Sequence, residues 1–318
     1  FKAKKYISGT LEFFKTMSDH DISYYFKCLV GGALACGLTH TFVVPLDIVK
    51  CRAQVDPKEY PGLASGTRKV LATQGFPGLT IGWLPTLIGY SLQGTAKFGF
   101  YEMFKDVYAS IAGDNAYKYR TIGFSLASAS AEVIADVFLC PFEAVKVRMQ
   151  TSPVGTFPTQ FGPAFNAIYG KEGAAGLYKG LAPLWGRQIP YTVMKFVAFE
   201  RTVEAFYRYV FTKPKESYSK SQKLSITFAS GYIAGVLCAL ISQPADTMVS
   251  KLNAVKGDAG AFAAMSTIYS QIGFAGLWKG LGIRILMVGT LTGLQWWIYD
   301  SFKTAVGLQI GQTFKQKQ

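Results

Sequence analysis

The chain alternates long apolar stretches with short polar ones, at a spacing too wide for strands. Between Lys27 and Asp47 the one charged or imidazole side chain is His40. Between Lys69 and Lys97, and again between Lys223 and Asp246, there is no charge. About 20 apolar residues in a helix cross a bilayer, so these stretches are long enough to span one. Two further apolar stretches are interrupted. Thr121 to Cys140 carries Glu132 and Asp136, and Gly180 to Phe199 carries Arg187 and Lys195. The pattern predicts long helices at 24–54, 80–110, 119–150, 178–210, 222–254 and 278–308. Short helices of mixed polarity, suited to a membrane surface, are expected at 62–73, 161–171 and 260–271.

These segments form a threefold internal repeat of roughly one hundred residues. Pro45-Leu46-Asp47-Ile48-Val49-Lys50 recurs as Pro141-Phe142-Glu143-Ala144-Val145-Lys146 and as Pro244-Ala245-Asp246-Thr247-Met248-Val249. Gly75-Phe76-Pro77-Gly78-Leu79 recurs as Gly173-Ala174-Ala175-Gly176-Leu177 and as Gly273-Phe274-Ala275-Gly276-Leu277. Tyr101-Glu102-Met103-Phe104-Lys105 recurs as Phe199-Glu200-Arg201-Thr202-Val203 and as Tyr299-Asp300-Ser301-Phe302-Lys303. Gly231 and Gly235 form a small-residue pair of the kind that lets two membrane helices approach closely.

Composition narrows the class. The chain has 318 residues, half of them apolar, and 33 Lys and Arg against 19 Asp and Glu give a net charge of +14. Disorder is excluded by 15% aromatic residues, and a disulfide scaffold by five cysteines that fall mostly in apolar runs. The five read as small packing residues; Cys36 is the one expected to face the interior, where copper handling stays open as an alternative. An enzyme is disfavoured, because the two histidines, His20 and His40, form no metal motif and no phosphate-binding glycine loop precedes a lysine. No cofactor is expected. The basic residues are spread through all three repeats, which fits an anionic lipid surface and an anionic solute better than nucleic acid. Phe1 stands in place of Met, and no cleavable signal peptide follows, so the start reads as a processed or trimmed one.

Proline, acid and base on the odd helices, with aromatic, acid and base on the even ones, resemble the mitochondrial carrier family over nearly the whole chain. The resemblance implies an all-α membrane protein of six transmembrane helices in three pseudo-threefold repeats, each with a short matrix-side helix. It implies one carrier domain with repeats at 24–110, 119–211 and 222–308, placed in the inner mitochondrial membrane and working as a monomer. The stretches Tyr178-Lys179-Gly180 and Trp278-Lys279-Gly280 match the family's cardiolipin-binding helix ends, where free N–H groups face a lipid phosphate. The first repeat departs here, with Thr80-Ile81-Gly82.

Two gates follow. Proline kinks should bring the odd helices together at one end. Cyclic pairing there joins Asp47 with Lys146 and Asp246 with Lys50, and leaves Glu143 without a base because Val249 fills that slot. Gln54 and Gln150 match the family's bracing glutamines. At the other end Glu102, Lys105, Glu200, Asp300 and Lys303 are expected to form the cytoplasmic gate, with Val203 in place of a third base.

The fold needs three similar repeats, whereas a small asymmetric solute does not. Positions that differ between repeats are therefore the solute candidates. Thirteen residues before Glu102, Glu200 and Asp300 stand Gly89, Arg187 and Met287, the family's contact points; Gln188 adjoins Arg187. Five residues before the same acids stand Lys97, Lys195 and Gln295, and Gln93 shares a helix face with Lys97. Arg187 suits an oxyanion through paired hydrogen bonds, with the lysines as point charges. Nine before the prolines stand Cys36, Glu132 and Gly235, and five before them His40, Asp136 and Ala239. Cations and carboxyls together suit a small anion that travels with a proton, carried by Glu132 with His40 and Asp136 as relay groups. Within the family, Gly89 to Glu102 and Ser128 to Gln150 are most similar to phosphate-transporting members. This implies inorganic phosphate and a proton as the partners, with another dicarboxylate-type anion as the alternative.

Overall fold

A computed structural model describes residues 22–56, 58–211, 217–254, 261–278 and 281–308. Among them the structure is helical throughout. The long helices are α1 (Ile22–Val55), α3 (Trp83–Ala112), α4 (Arg120–Thr151), α6 (Leu181–Ala205), α7 (Lys220–Ala254) and α9 (Leu281–Ala305). The short ones are α2 (Leu63–Leu79), α5 (Phe161–Tyr178) and α8 (Ala261–Leu277). At 1.5 Å per residue, even a 25-residue helix such as α6 reaches about 37 Å, enough to cross the hydrocarbon layer.

By length and composition alone, α1, α4 and α7 qualify as spans. The uncharged stretch from Lys69 to Lys97 is not one span: it covers the end of α2, a turn, and the start of α3. The even helices begin at Trp83, Leu181 and Leu281, three residues later than the sequence pattern suggests.

The reason is the second repeated motif. Each short helix is bent at the first glycine of that motif, Gly75, Gly173 or Gly273, with φ of 66°, 64° and 61° and ψ near ±180°. That backbone region is open to glycine almost alone. Three residues on, a Cβ at Gly78, Gly176 or Gly276 would come within 2.5, 2.3 and 2.7 Å of the Cβ of Gln74, Glu172 and Ile272. The motif therefore folds each short helix back on itself and continues it for another turn.

The long helices close a ring in the order α1, α3, α4, α6, α7, α9 and back to α1. Prolines Pro45, Pro141 and Pro244 lie inside α1, α4 and α7. Here α1 also touches α4 and α7, so the first long helices of the three repeats meet one another at α1. Glycines set the seams. A Cβ on Gly231 or Gly235 of α7 would sit 3.0 and 2.7 Å from the Cα of Gly293 and Gly289 on α9. Between α1 and α3, a Cβ on Gly32 would strike the Gly94 carbonyl oxygen at 2.1 Å. In a bilayer, such close backbone approach stands in for the hydrophobic drive that water would supply.

Candidate functional site

The middle of the ring holds a cluster of buried ionic and amide groups. Glu132 and Asp136, one turn apart on α4, are both 0% exposed. Lys97 of α3 forms an ion pair of 2.9 Å with Glu132 and donates to the Thr192 hydroxyl on α6 at 3.4 Å. The Gln93 amide, one turn before Lys97, donates to Glu132 at 3.2 Å and to Asp136 at 3.1 Å. One nitrogen thus holds the two carboxyls side by side. Asp136 Oδ2 receives no hydrogen bond among the described residues.

Lys195 of α6 is buried and donates to Gln295 Oε1 of α9 at 3.4 Å. No carboxylate pairs with it among the described residues. The Gln295 amide reaches back to α1, 3.4 Å from the Thr39 hydroxyl and 3.3 Å from His40 Nδ1. His40 Nδ1 also lies 2.9 Å from the Cys36 carbonyl, and its ring stacks on Tyr90 with centroids 3.9 Å apart. Buried charge is costly unless paired, so a lone ammonium here marks where an anion is favourable. With both lysines and both carboxyls ionised, the cluster sums to zero. One added monoanion leaves it one proton short of neutrality.

Of the remaining solute candidates, Arg187 is exposed and makes no hydrogen bond or ion pair among the described residues. It stands on α6, the helix that also carries the buried Thr192 and Lys195 one and two turns further on. Gln188 and Met287 are half-buried. Gly89 occupies the α3–α4 seam, where a Cβ would meet Phe142 at 2.6 Å. Its place is helix packing.

At the proline end, Lys146 meets Asp47 across α4 and α1 at 2.5 Å. Glu143, expected to lack a base, turns to Lys146 of its own helix at 3.6 Å, since i and i+3 share a face. Lys50 is exposed. The buried Gln150 donates to the Ile81 carbonyl at 3.2 Å, pinning the turn before α3 and not the ion pair. The side chains of Gln54, Asp246 and Val249, and Gly280 altogether, lie outside the described residues. Gly180 precedes α6 as its exposed N-terminal flank.

The opposite end is denser. Lys105 lies 3.1 Å from Glu102 and 3.3 Å from Glu200, and Lys303 lies 3.3 Å from Glu102. Tyr24, Tyr101 and Tyr299 donate to these acids: to Glu102 at 3.0 Å, to Glu200 at 3.1 Å and to Glu102 at 3.4 Å. Asp300, whose cyclic partner slot holds Val203, accepts from the Thr227 hydroxyl at 2.8 Å. Beneath lies an aromatic layer of Phe98, Phe196, Phe199 and Trp296, with Phe199 and Trp296 stacked at 3.5 Å.

Sequence reasoning did not assign roles to Thr39, Thr192, Thr227, Tyr24 or Arg284. Arg284 donates to Ser242 of α7 at 2.7 Å. A signal was available for it: the slots sixteen before Glu102 and Glu200 hold Thr86 and Leu184, so Arg284 breaks the repeat. Tyr24 and Thr227 lie near the starts of odd helices, away from every repeated motif.

A six-helix membrane barrel with an ionic centre and an ion network at each end is the architecture of a solute carrier. The profile of the mitochondrial carrier protein family matches at residues 22–111, 118–210 and 220–309. The chain belongs to the mitochondrial carrier family. It is 56% identical over 295 residues to a "Probable mitochondrial phosphate carrier protein" of Schizosaccharomyces pombe, covering 92% of this chain and 94% of that one. It is 58% identical to "Phosphate carrier protein, mitochondrial" of Caenorhabditis elegans, covering 90% and 82%. It is 52% identical to "Solute carrier family 25 member 3" of Homo sapiens, covering 88% and 76%.

Proposed function

We propose that the chain is a multi-pass carrier of the inner mitochondrial membrane that moves inorganic phosphate into the matrix together with a proton, or equivalently in exchange for hydroxide. The names of its relatives support phosphate as the solute. The observation that carries the mechanism is Lys195, a buried ammonium whose hydrogen-bond partner is the neutral Gln295, beside a carboxyl pair facing one lysine. Phosphate is bound by Lys195 and Arg187, with Lys97 held in place by Glu132. Arg187 supplies two parallel donors that fit a tetrahedral oxyanion.

The proton is carried by the carboxyl pair. Lys97 is committed to Glu132, so Asp136, with one oxygen lacking a donor, is the better place for it. Glu132, Asp136 and His40 remain the proton-coupling set, with Asp136 as the loading site and Glu132 as its ionised neighbour. His40 is stacked on Tyr90, and in the tautomer with a bare Nδ1 it accepts from the Gln295 amide and orients it; in the other tautomer Nδ1 donates to the Cys36 carbonyl instead. Entry of a phosphate monoanion alone would work against a negative matrix at about 2.3 kcal/mol per 100 mV, and the proton removes that cost. In the cycle the Glu102 network closes the cytoplasmic end and the Asp47–Lys146 pair the matrix end, opening in turn. Cardiolipin binds at the helix starts that include Gly180.

Reconstituted liposomes test both parts. Labelled phosphate should enter in preference to malate and ADP, and faster with the outside acidified. Asp136→Asn and Glu132→Gln should each lose the response to the pH gradient while phosphate–phosphate exchange persists. A wild-type gradient response in both variants refutes the carboxyl pair as the coupling group, and malate uptake without phosphate uptake refutes the solute.

A further inference from the structure

One continuous path of side chains joins the centre of the barrel to the proline end. Lys195 donates to Gln295 at 3.4 Å, and Gln295 lies 3.3 Å from His40. The His40 ring stacks on Tyr90, 3.9 Å between centroids and 14° from parallel. Lys146 Nζ sits 5.3 Å from the centre of that same Tyr90 ring, and Lys146 is the base that meets Asp47. Tyr90 is the one element of the path that touches both halves. Leu139 of α4 and Leu184 of α6 pack with the ring in one buried cluster, so a change at its His40 face is passed on as a small tilt and is not lost in free rotation.

The slot is asymmetric. The equivalents of Tyr90 in the other repeats are Gln188 and Val288, and those of His40 are Asp136 and Ala239. The carrier architecture therefore does not need an aromatic stack there. A cation over an aromatic face is held by the ring quadrupole, so a tilt of the ring displaces the cation. An anion that takes the Lys195 proton donor from Gln295 frees that amide, and with it the His40 contact that fixes one face of Tyr90.

We propose that Tyr90 is a positioning residue that couples occupancy of the central anion site to the Asp47–Lys146 gate through its ring face. The inference rests on the reading of Lys195 as an anion-binding group. The phenol oxygen has no part in it; the flat ring does.

The test compares Tyr90→Phe, which keeps the ring, with Tyr90→Leu and Tyr90→Met, which keep bulk and lose it. Initial rates of phosphate–phosphate exchange are measured in liposomes across phosphate concentrations. Tyr90→Phe should stay within about twofold of wild type in both KM and maximal rate, because the stack and the cation contact survive. The two aliphatic variants should lose about tenfold or more in maximal rate with KM within about twofold, since binding at Lys195 is intact and the gate no longer follows it. Two aliphatic variants are used so that one misfolded protein does not end the test, and a phosphate-induced rise in unfolding temperature verifies that binding persists. Phe as slow as Leu, KM rising in step with the fall in rate, or Leu at the wild-type rate would each overturn the proposal. If wild type exchanges malate and not phosphate, the solute reading fails separately, and the same ratios measured with malate decide the role of Tyr90.

Discussion

The two ends of the barrel close by the same device at different depths. At the proline end one inter-repeat pair stands among the described residues, Lys146 with Asp47, with Asp47 about a quarter exposed and Glu143 leaning on the same lysine. At the aromatic end Glu102, Lys105 and Lys303 are all nearly fully buried, three tyrosine hydroxyls donate into the network, and four packed aromatics seal it from below. Both ends lack one base of a full set, at Val249 and Val203. The aromatic end compensates with hydroxyl donors; the proline end leaves its spare acid on its own helix. A dry network is worth more when intact and costs more when broken, because a stranded buried charge cannot turn to water. The contrast thus predicts unequal gates in a cycle that opens them in turn.

The largest effect is expected from Glu102→Gln. This change removes the acid shared by Lys105 and Lys303, strands the Lys303 ammonium in a buried layer and leaves Lys105 with Glu200. Breaking a buried pair costs about 3–5 kcal/mol. The unfolding temperature should fall sharply, and exchange should drop to background even where the protein still inserts. A variant that melts within a degree or two of wild type would remove the depth argument.

Asp47→Asn is the matched change at the other end, and its cost in stability should be smaller. Its pair is partly hydrated, so about 1–2 kcal/mol is expected, between the values for surface and buried pairs. Transport should nevertheless suffer, because Lys146 then has only the longer contact to Glu143. The informative quantity is the ratio of the two losses of stability. If Asp47→Asn destabilises as much as Glu102→Gln, the ends are equivalent and the comparison fails.

Much of this was legible in the sequence because membrane helices and threefold repetition leave strong marks. Runs without acid or lysine pointed to α1 and α7, the repeated acid–base motifs to the two ends, and Gly231 with Gly235 marked a seam that Gly289 and Gly293 complete. What escaped was of two kinds. Glu143 and Asp300 chose partners, Lys146 and Thr227, that depend on side-chain reach once a symmetric partner is missing. Gly89 stood at a contact-point spacing, yet its missing Cβ is filled by Phe142 of the next repeat. A spacing rule reports the turn of a helix, and neighbouring bulk decides whether that turn faces the interior or a seam.

The smallest effect, and the finest probe of the contrast, is Val203→Lys. The pairs Lys105–Glu200 and Lys303–Glu102 run round the ring in one sense, and the same sense carries the Val203 position to Asp300. A lysine there supplies the absent base. Two terms oppose. Val203 packs against the aromatic layer, and replacing it loses apolar contact and adds a charge to desolvate. Against this, Asp300 is buried with the Thr227 hydroxyl as its donor, and an ammonium would complete its environment. The lysine stem keeps part of the lost apolar contact. These terms nearly cancel, so stability should change by no more than about 1 kcal/mol. The exchange rate is not subject to that cancellation. Opening the aromatic end must now break three inter-repeat pairs, so turnover should fall about threefold while KM for phosphate holds, as expected for a change that stabilises one closed state and leaves the binding site alone. Faster exchange, or an unchanged rate with a higher unfolding temperature, would mean that opening this end does not limit the cycle.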